Sequence, residues 1–339
     1  MQRIPPIEGF NKNMLFKKAG KNGEGETDIC TQSAQLVNTV SDIEVTIVTV
    51  CFNPLKSGRG EVFRKNLDSV QAQTDISLEH VIIDGASSDG TLEWLKKYRN
   101  TNHDIRILSQ TDSGIYEAMN RGIALARGKY VLFLNSDDYF NNPKGMYASA
   151  RRIEEMQCDF SFAPVRDDPP NVQHHARLAP QRRLHRFLIS WSFSHQTMLT
   201  SRKMLLHLDG FDTSYQSAAD YDLLLRMITV GAKGCFVPLT FATFSLGGFS
   251  AEYRELSVSE RIRCLHNFFR VFYSVEMTHE QVAYIINHRV YPRKYLNIYK
   301  QSQQLIRERF IGIPKGPIYS LSRWFNYNKY YFKCLKTNV

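Results

Sequence analysis

The chain has 339 residues, 43% of them hydrophobic, and a formal net charge of +10. Its mean hydropathy is −0.34, and no apolar run is long enough to span a bilayer. Six cysteines without a CxxC pair argue against a zinc ribbon or a disulfide framework and fit a reducing cytosol, while the length suits one or two domains with a substantial core.

Met1 to Asn38 contains no continuous apolar h-region, so no secretory signal is expected. Residues 1–43, with segments such as Lys17 to Gly23, read as a flexible lead-in. Val45 to Val50 then reads as a strand that ends at Phe52-Asn53-Pro54. A helix is expected from about Glu61 to Gln73, on the loose helical spacing of Val62, Leu67 and Val70. His80 to Asp84 is a second strand, broken by Gly85 to Thr91, where Ser88 or Asp89 can cap a helix running from Thr91 to Tyr98. Ile105 to Leu108 is a short third strand. Ile115, Met119, Ile123 and Ala126 have helical spacing, and Gly128 stops that helix. Tyr130 to Leu134 is the fourth strand, apolar enough to be covered on both faces.

Strands alternating with helices predict a mostly parallel α/β sheet flanked by helices. Right-handed crossovers put the carboxyl ends of its strands on one side, where ligands of open α/β sheets bind. Phe52, Asp84 and the adjacent pair Asp137-Asp138 should therefore face one crevice. Two neighbouring carboxylates are costly unless something neutralises them. A divalent ion carrying phosphate oxygens would do so.

Beyond Asp138 the expected elements are a helix over 146–156, a strand over 158–165 and a helix over 223–229. Further helices are expected near 257–273 and 279–288. Arg177 to Arg186 is a basic stretch. From Gln281 onward 11 basic residues face the single acid Glu308, so the whole excess of positive charge lies at this end. Past Ile311 aromatic and basic residues alternate, among them Tyr319, Arg323, Trp324, Tyr330 and Lys333.

Four blocks in this order resemble the family 2 glycosyltransferases of GT-A fold: Thr49 to Asn53, Asp84 to Thr91, Asn135 to Asp138, and Ala219 to Asp222. The resemblance covers roughly 44–249. Within that family, Asp112 to Gly122 is similar to the subgroup that assembles bacterial exopolysaccharides of the colanic acid and amylovoran type. The resemblance implies an inverting, metal-dependent transferase that moves a sugar from a UDP- or GDP-sugar to an acceptor hydroxyl. Mn2+ or Mg2+ is the implied cofactor, with Asp137 as its ligand and Asp138 orienting the site or reaching the donor sugar. Asp84 would accept a hydrogen bond from the base, Phe52 would wall it with the Val50 backbone nearby, and Asp112 would hold the nucleoside side. Asp220 matches the general base, His195 would contact diphosphate or acceptor, and Arg226 is a further phosphate candidate.

Taken one at a time, these residues have plainer readings. Asp84, Asp112 and Asp220 can be caps, Phe52 can be core, and His195 can be a hydrogen-bonded histidine beside Trp191. His174-His175 reads as a surface loop, since no third ligand is suitably spaced. Three positions depart from the family pattern: Asn135 and Ala219 stand where acids are usual, and Gly85 where a second carboxylate often sits. Asn135 and Ala219 motivate an alternative reading as a catalytically degenerate nucleotide-sugar-binding or scaffold subunit. The tail can be read as stacking on nucleic acid, as lying on an anionic bilayer, or as a docked helix. An exopolysaccharide enzyme meeting a lipid-linked saccharide acceptor favours the membrane, with no nucleic-acid partner and a cytoplasmic, peripheral location on the inner face of the bacterial inner membrane. The expected organisation is a lead-in over 1–43, a GT-A catalytic domain over 44–250 and a helical, basic and aromatic extension over 251–339.

Overall fold

The computed structural model describes residues 43–99, 105–168, 188, 194–246, 253–288, 291 and 293–312. The lead-in over 1–42, the His174-His175 pair, the basic stretch Arg177 to Arg186, Trp191 and the tail past residue 312 lie outside the described residues.

The first half alternates as the sequence predicts: β1 (Val45–Cys51), α1 (Gly60–Gln71), β2 (Leu78–Asp84), α2 (Thr91–Arg99), β3 (Ile105–Ser109), α3 (Ile115–Leu125) and β4 (Tyr130–Phe133). Strand β1 pairs in parallel with β2 on one side and β4 on the other, and every one of its residues is buried. Its alternate residues serve two layers. Val48 and Val50, with Val81 and Ile83 of β2, pack in one cluster with Met119 and Ile123 of α3. Cys51 and Ile82 face Phe63 and Leu67 of α1 and Leu95 of α2. Full burial of side chains this size contributes about 1.5–3 kcal/mol each. Helix α3 approaches β1 so closely that a Cβ on Gly122 would come within 2.3 Å of Val48 Cγ1.

The second half adds β5 (Tyr139–Phe140), α4 (Gly145–Met156), β6 (Phe160–Phe162), β7 (Val165–Asp168), a 3-10 turn (His195–Thr197), β8 (Thr200–Ser201) and α5 (Arg202–His207). Then come α6 (Ala219–Thr229), β9 (Gly234–Phe236), β10 (Ala242–Ser245), α7 (Arg254–Phe272), α8 (His279–His288), α9 (Leu296–Arg309) and β11 (Phe310–Ile311). The large sheet has the order β11-β9-β6-β8-β4-β1-β2-β3, and a small one the order β5-β10-β7. The large sheet is mostly parallel; β8 runs antiparallel to both β4 and β6.

The single strand expected over 158–165 is instead two strands in different sheets. Pro164 lies between them, and proline has no N–H to continue a ladder. The region after residue 251 is helical, as expected, and its described part is built into the same body. Leu265, Phe269, Ile285 and Ile306 share one buried cluster with Leu224 and Ile228 of α6, and β11 pairs in parallel with β9.

Candidate active site

Parallel register levels the strand ends. Cys51 lies opposite Asp84, and Asp84 opposite Ser109. The loops that leave β1 and β2 are then stitched together. Asn53 N–H donates to Ser87 Oγ at 2.8 Å, and Ser88 N–H donates to Asn53 Oδ1 at 2.8 Å. The Lys56 N–H and the Thr91 N–H both donate to Asp89, which thereby closes the loop and starts α2. This stitching leaves Phe52 67% exposed at the lip. A Cβ on Gly85 would meet Asp112 Oδ2 at 2.9 Å and the Phe52 ring at 3.3 Å, so Phe52, Gly85 and Asp112 line one crevice. Burial holds the Asp112 carboxyl above its usual range. Val50 is buried in the strand below.

Asp84 lies beneath that crevice rather than in it. Its carboxylate is enclosed and accepts from the Ser87 N–H, the Ser87 hydroxyl, the Ser109 hydroxyl at 2.6 Å and the Cys51 thiol. In this geometry Asp84 shapes the floor by holding the loop, and a base N–H would reach it only by displacing a serine.

The turn after β4 separates its two carboxylates. Asn66, buried on α1, donates through Nδ2 to Asn135 O at 2.9 Å and to Asp138 O at 2.8 Å. Asp138 points inward and accepts from Gln196 Nε2 at 2.7 Å and Ser245 N–H at 2.9 Å. The Ser245 hydroxyl also holds Asp137 O. Asp137 points outward, its side chain 19% exposed, with Arg59 Nη1 at 3.4 Å. Burial pushes the Asp138 carboxyl up to about 7, with the Asp137 charge adding to the shift and the Ser245 and Gln196 donors opposing it. Burial raises Asp137 too, against the Arg59 and His195 charges.

Across from this turn, α6 starts at Ala219, four residues earlier than its apolar spacing predicts, so Asp220 stands in its first turn. Asp220 Oδ1 accepts from Tyr221 N–H at 2.8 Å and from Tyr116 Oη at 3.4 Å. His195 Nδ1 lies 3.5 Å from Asp220 Oδ2. Gln196, the next residue of the same 3-10 turn, bonds Asp138, so this turn links the two carboxylate centres. The His195 Nε2 is buried without a hydrogen-bond partner among the described residues.

The structure thus gathers Asp137, Asp138, His195 and Asp220 at one place, and Phe52, Gly85 and Asp112 at another along the same strand ends. Arg226 belongs to neither, which corrects its reading as a phosphate ligand. Its guanidinium bonds Asp222 at 2.7 Å and the carbonyls of Leu208 and Gly210 at 2.8 Å, where it braces the helix. Sequence reasoning missed Arg59, Asn66, Tyr116, Gln196, Ser245 and Glu260. Tyr116 lay inside a block already singled out. Glu260 is legible as a carboxylate on the buried stripe of α7, in step with Cys264 and Phe268.

Among the described residues, no group of three or more His, Cys, Asp or Glu side chains is disposed to cage a metal ion. The turn offers one open carboxylate, Asp137, with a guanidinium against it as a stand-in cation. Hard divalent ions use one or two carboxylates when phosphate oxygens complete the shell. These residues therefore fit Mn2+ or Mg2+ arriving with a diphosphate, and do not fit an all-protein cage.

The raised Asp138 carboxyl has a consequence for stability. Its folded value, about 7, exceeds the ordinary aspartate value of 3.8, so the folded state holds the proton more tightly and stability from this group is lost as pH rises between those values. In chelator-treated protein, the wild type should lose melting temperature relative to Asp138→Asn from about pH 4 to about pH 7. A difference that stays constant across that range would show that Asp138 does not titrate there.

The family model for glycosyl transferase family 2 matches residues 46–207. Chondroitin synthase of Pasteurella multocida is 31% identical over 171 residues, which are 49% of this chain and 17% of that protein. A PGL/p-HBAD biosynthesis glycosyltransferase of Mycobacterium tuberculosis is 31% identical over 162 residues, 47% of this chain and 62% of the relative. The chain thus spans less than two thirds of the curated relatives it matches. The S. aureus TarS 1–349 structure in complex with UDP-GlcNAc superposes with a TM-score of 0.55 at 17% identity, covering 79% of this chain and 82% of that one. The mannosyltransferase PcManGT from Pyrobaculum calidifontis, in complex with GDP-Man and Mn2+, gives 0.52 at 16% identity, covering 90% and 89%. These likenesses establish the fold as that of the GT-A glycosyltransferases. Asp220 lies past the end of the family match. Residues 46–207, just under half of this chain, match the family 2 glycosyl transferases, and the fold those proteins share continues beyond them.

Proposed function

We propose that the chain moves a sugar from a UDP- or GDP-sugar to an acceptor hydroxyl, with inversion at the anomeric carbon. The observation that carries this reading is the 3-10 turn shared by both centres: His195 Nδ1 lies 3.5 Å from Asp220 Oδ2, and the adjacent Gln196 bonds Asp138 at 2.7 Å. A diphosphate-side carboxylate and an acceptor-side carboxylate thereby flank one reaction volume. The donors in the TarS and PcManGT complexes, UDP-GlcNAc and GDP-Man, support a nucleotide-sugar donor here.

In this reading Phe52 and Asp112 receive the nucleoside, above the Val50 strand end and the floor that Asp84 holds. The acceptor oxygen attacks the anomeric carbon, the bond to the diphosphate breaks, and the acceptor proton passes to Asp220. Tyr116 Oη and the Tyr221 N–H fix the Asp220 carboxylate for that transfer. Arg59 is free to leave Asp137 for the diphosphate, and Asp138 keeps the turn rigid. When bound at Asp137, Mn2+ or Mg2+ would supply electrostatic stabilisation of the leaving diphosphate.

Two variants test the two halves. Asp137→Ala should abolish the Mn2+-dependent part of the thermal shift that UDP or GDP produces. An undiminished metal-linked shift overturns the metal assignment. Asp220→Asn should keep that shift but lower the turnover of a hydrolysable donor by about 10²–10⁴-fold. Unchanged turnover removes Asp220 as the base.

The acceptor side extends the proposal. Relatives named for chondroitin synthesis and PGL/p-HBAD biosynthesis support a saccharide acceptor, and we place the activity in cell-surface polysaccharide assembly on a lipid-linked acceptor. No helix among the described residues is long and apolar enough to cross a membrane. The basic, aromatic tail would hold the protein on an anionic bilayer at the inner face of the bacterial inner membrane. Deleting the chain after Ile311 should release the protein from phosphatidylglycerol-containing vesicles at low salt, whereas equal binding by the shortened protein refutes the tail's role.

A further inference from the structure

Helix α7 carries a buried carboxylate that the proposed reaction does not use. Glu260 is 7% exposed. Its Oε1 accepts the Gln216 N–H at 2.8 Å, and its Oε2 accepts the Ser217 N–H at 2.8 Å and the Ala218 N–H at 3.0 Å. Ala218 is the residue immediately before α6, and Asp220 is the second residue of that helix. Three consecutive amides at a helix entrance thus converge on one side chain from a helix more than 40 residues later in the chain.

The rest of α7 tightens the same grip. The Ser257 and Ser217 hydroxyls are 2.5 Å apart. Arg263 Nη2 donates to Ser214 O at 2.8 Å, and its guanidinium lies 3.8 Å over the Tyr215 ring. The other end of the segment is fixed as firmly: Asn120 donates to Phe211 O and accepts from Phe211 N–H, both at 2.8 Å. The chain between these two anchors has little freedom, and Asp220 follows it directly.

A carboxylate suits this place for a physical reason. The first amides of a helix have no partner within the helix, and the positive end of the helix favours an anion. Two carboxylate oxygens satisfy three donors at once. An amide side chain would offer one oxygen and turn an NH2 group toward an N–H.

We propose that Glu260 is a positioning residue for the acceptor-side base: it sets the entrance of α6 and with it the place of the Asp220 carboxylate. This rests on the reading of Asp220 as the base. It makes the helix after residue 253, beyond the family-matched stretch, part of the reaction apparatus rather than an appendage.

The test uses the full-length chain with Mn2+ and whichever donor of a UDP- and GDP-sugar panel is hydrolysed, comparing Glu260→Gln, Glu260→Asp and Asp220→Asn. In Glu260→Gln, kcat should fall at least tenfold, while the donor KM and the calorimetric affinity for the nucleoside diphosphate stay within twofold. Glu260→Asp, which keeps the charge but withdraws it by one methylene, should recover part of the loss. Three results overturn the proposal. One is unchanged kcat in Glu260→Gln when Asp220→Asn is inactive. Another is a parallel fall of kcat and nucleotide affinity that tracks the folded fraction, which would make Glu260 a purely structural residue. The third is failure of both Glu260 variants to fold. Full turnover in Asp220→Asn is a separate outcome: it removes the base reading itself.

Discussion

A carboxylate shut away from water must be satisfied by the protein around it, and at Asp138 that requirement joins parts of the chain that are distant in sequence. Gln196 comes from the 3-10 turn, Ser245 from the end of the small sheet, and Asn66 from α1 holds the backbone of the same turn. Even the amide orientation of Gln196 is fixed, because its Oε1 accepts from the Ser194 hydroxyl. Leaving one of these buried groups unpaired costs about 1–3 kcal/mol, and more when it is charged. The turn therefore has one comfortable arrangement. In it Asp138 faces in, Asp137 faces out, and the repulsion between the two is relieved by divergence and by the Arg59 guanidinium.

The same device recurs around the site. A buried polar side chain on a regular element captures the main chain of a loop, so that functional side chains stand on loops with little play. The choice of residue follows the groups to be captured. Asn120 meets one residue's N–H and C=O, and its amide carries one acceptor and one donor for them. Glu260 meets only N–H groups and uses a side chain that only accepts. Gly210 completes the arrangement: a Cβ there would press to 2.3 Å from Asn120 Oδ1, and its φ of +69° is one that glycine adopts without strain.

What the sequence made legible follows from where the determining forces lie. Strands β1, β2 and β4 are buried on both faces and bounded by turn residues, so their apolar runs announced them, and right-handed crossovers were enough to bring Asp84 and Asp137 to one edge. Asp137, Asp138 and Asp220 stood in recognisable blocks, whereas Asp84's enclosure could not be read, because Ser109 and Cys51 reach it across strand register. Two-residue strands such as β8 and β11 exist only as pairings and leave no local pattern. Helix α6 begins before its apolar spacing does, since its entrance is held by a distant glutamate instead of a local cap. Tyr116 meets Asp220 across 104 positions of chain, a separation that no local periodicity reports.

The short strand β11, last of the described elements, bears on the order in which the ribosome delivers the molecule. Phe52, Gly85, Asp112 and the Asp137-Asp138 pair all lie before residue 140, on strands that pair within that half, although the turn that carries the pair gains its Gln196 and Ser245 partners only later. The half that carries Asp220 is different. Its loop is clasped only when α7 has emerged, and β9 keeps a bare edge until residues 310–311 pair with it. Long-range parallel pairing is slow because the closure entropy must be met before the contacts reward it. A nascent chain that has exposed the whole family-matched stretch therefore still presents an unfinished sheet edge, the kind of surface on which partly made proteins associate.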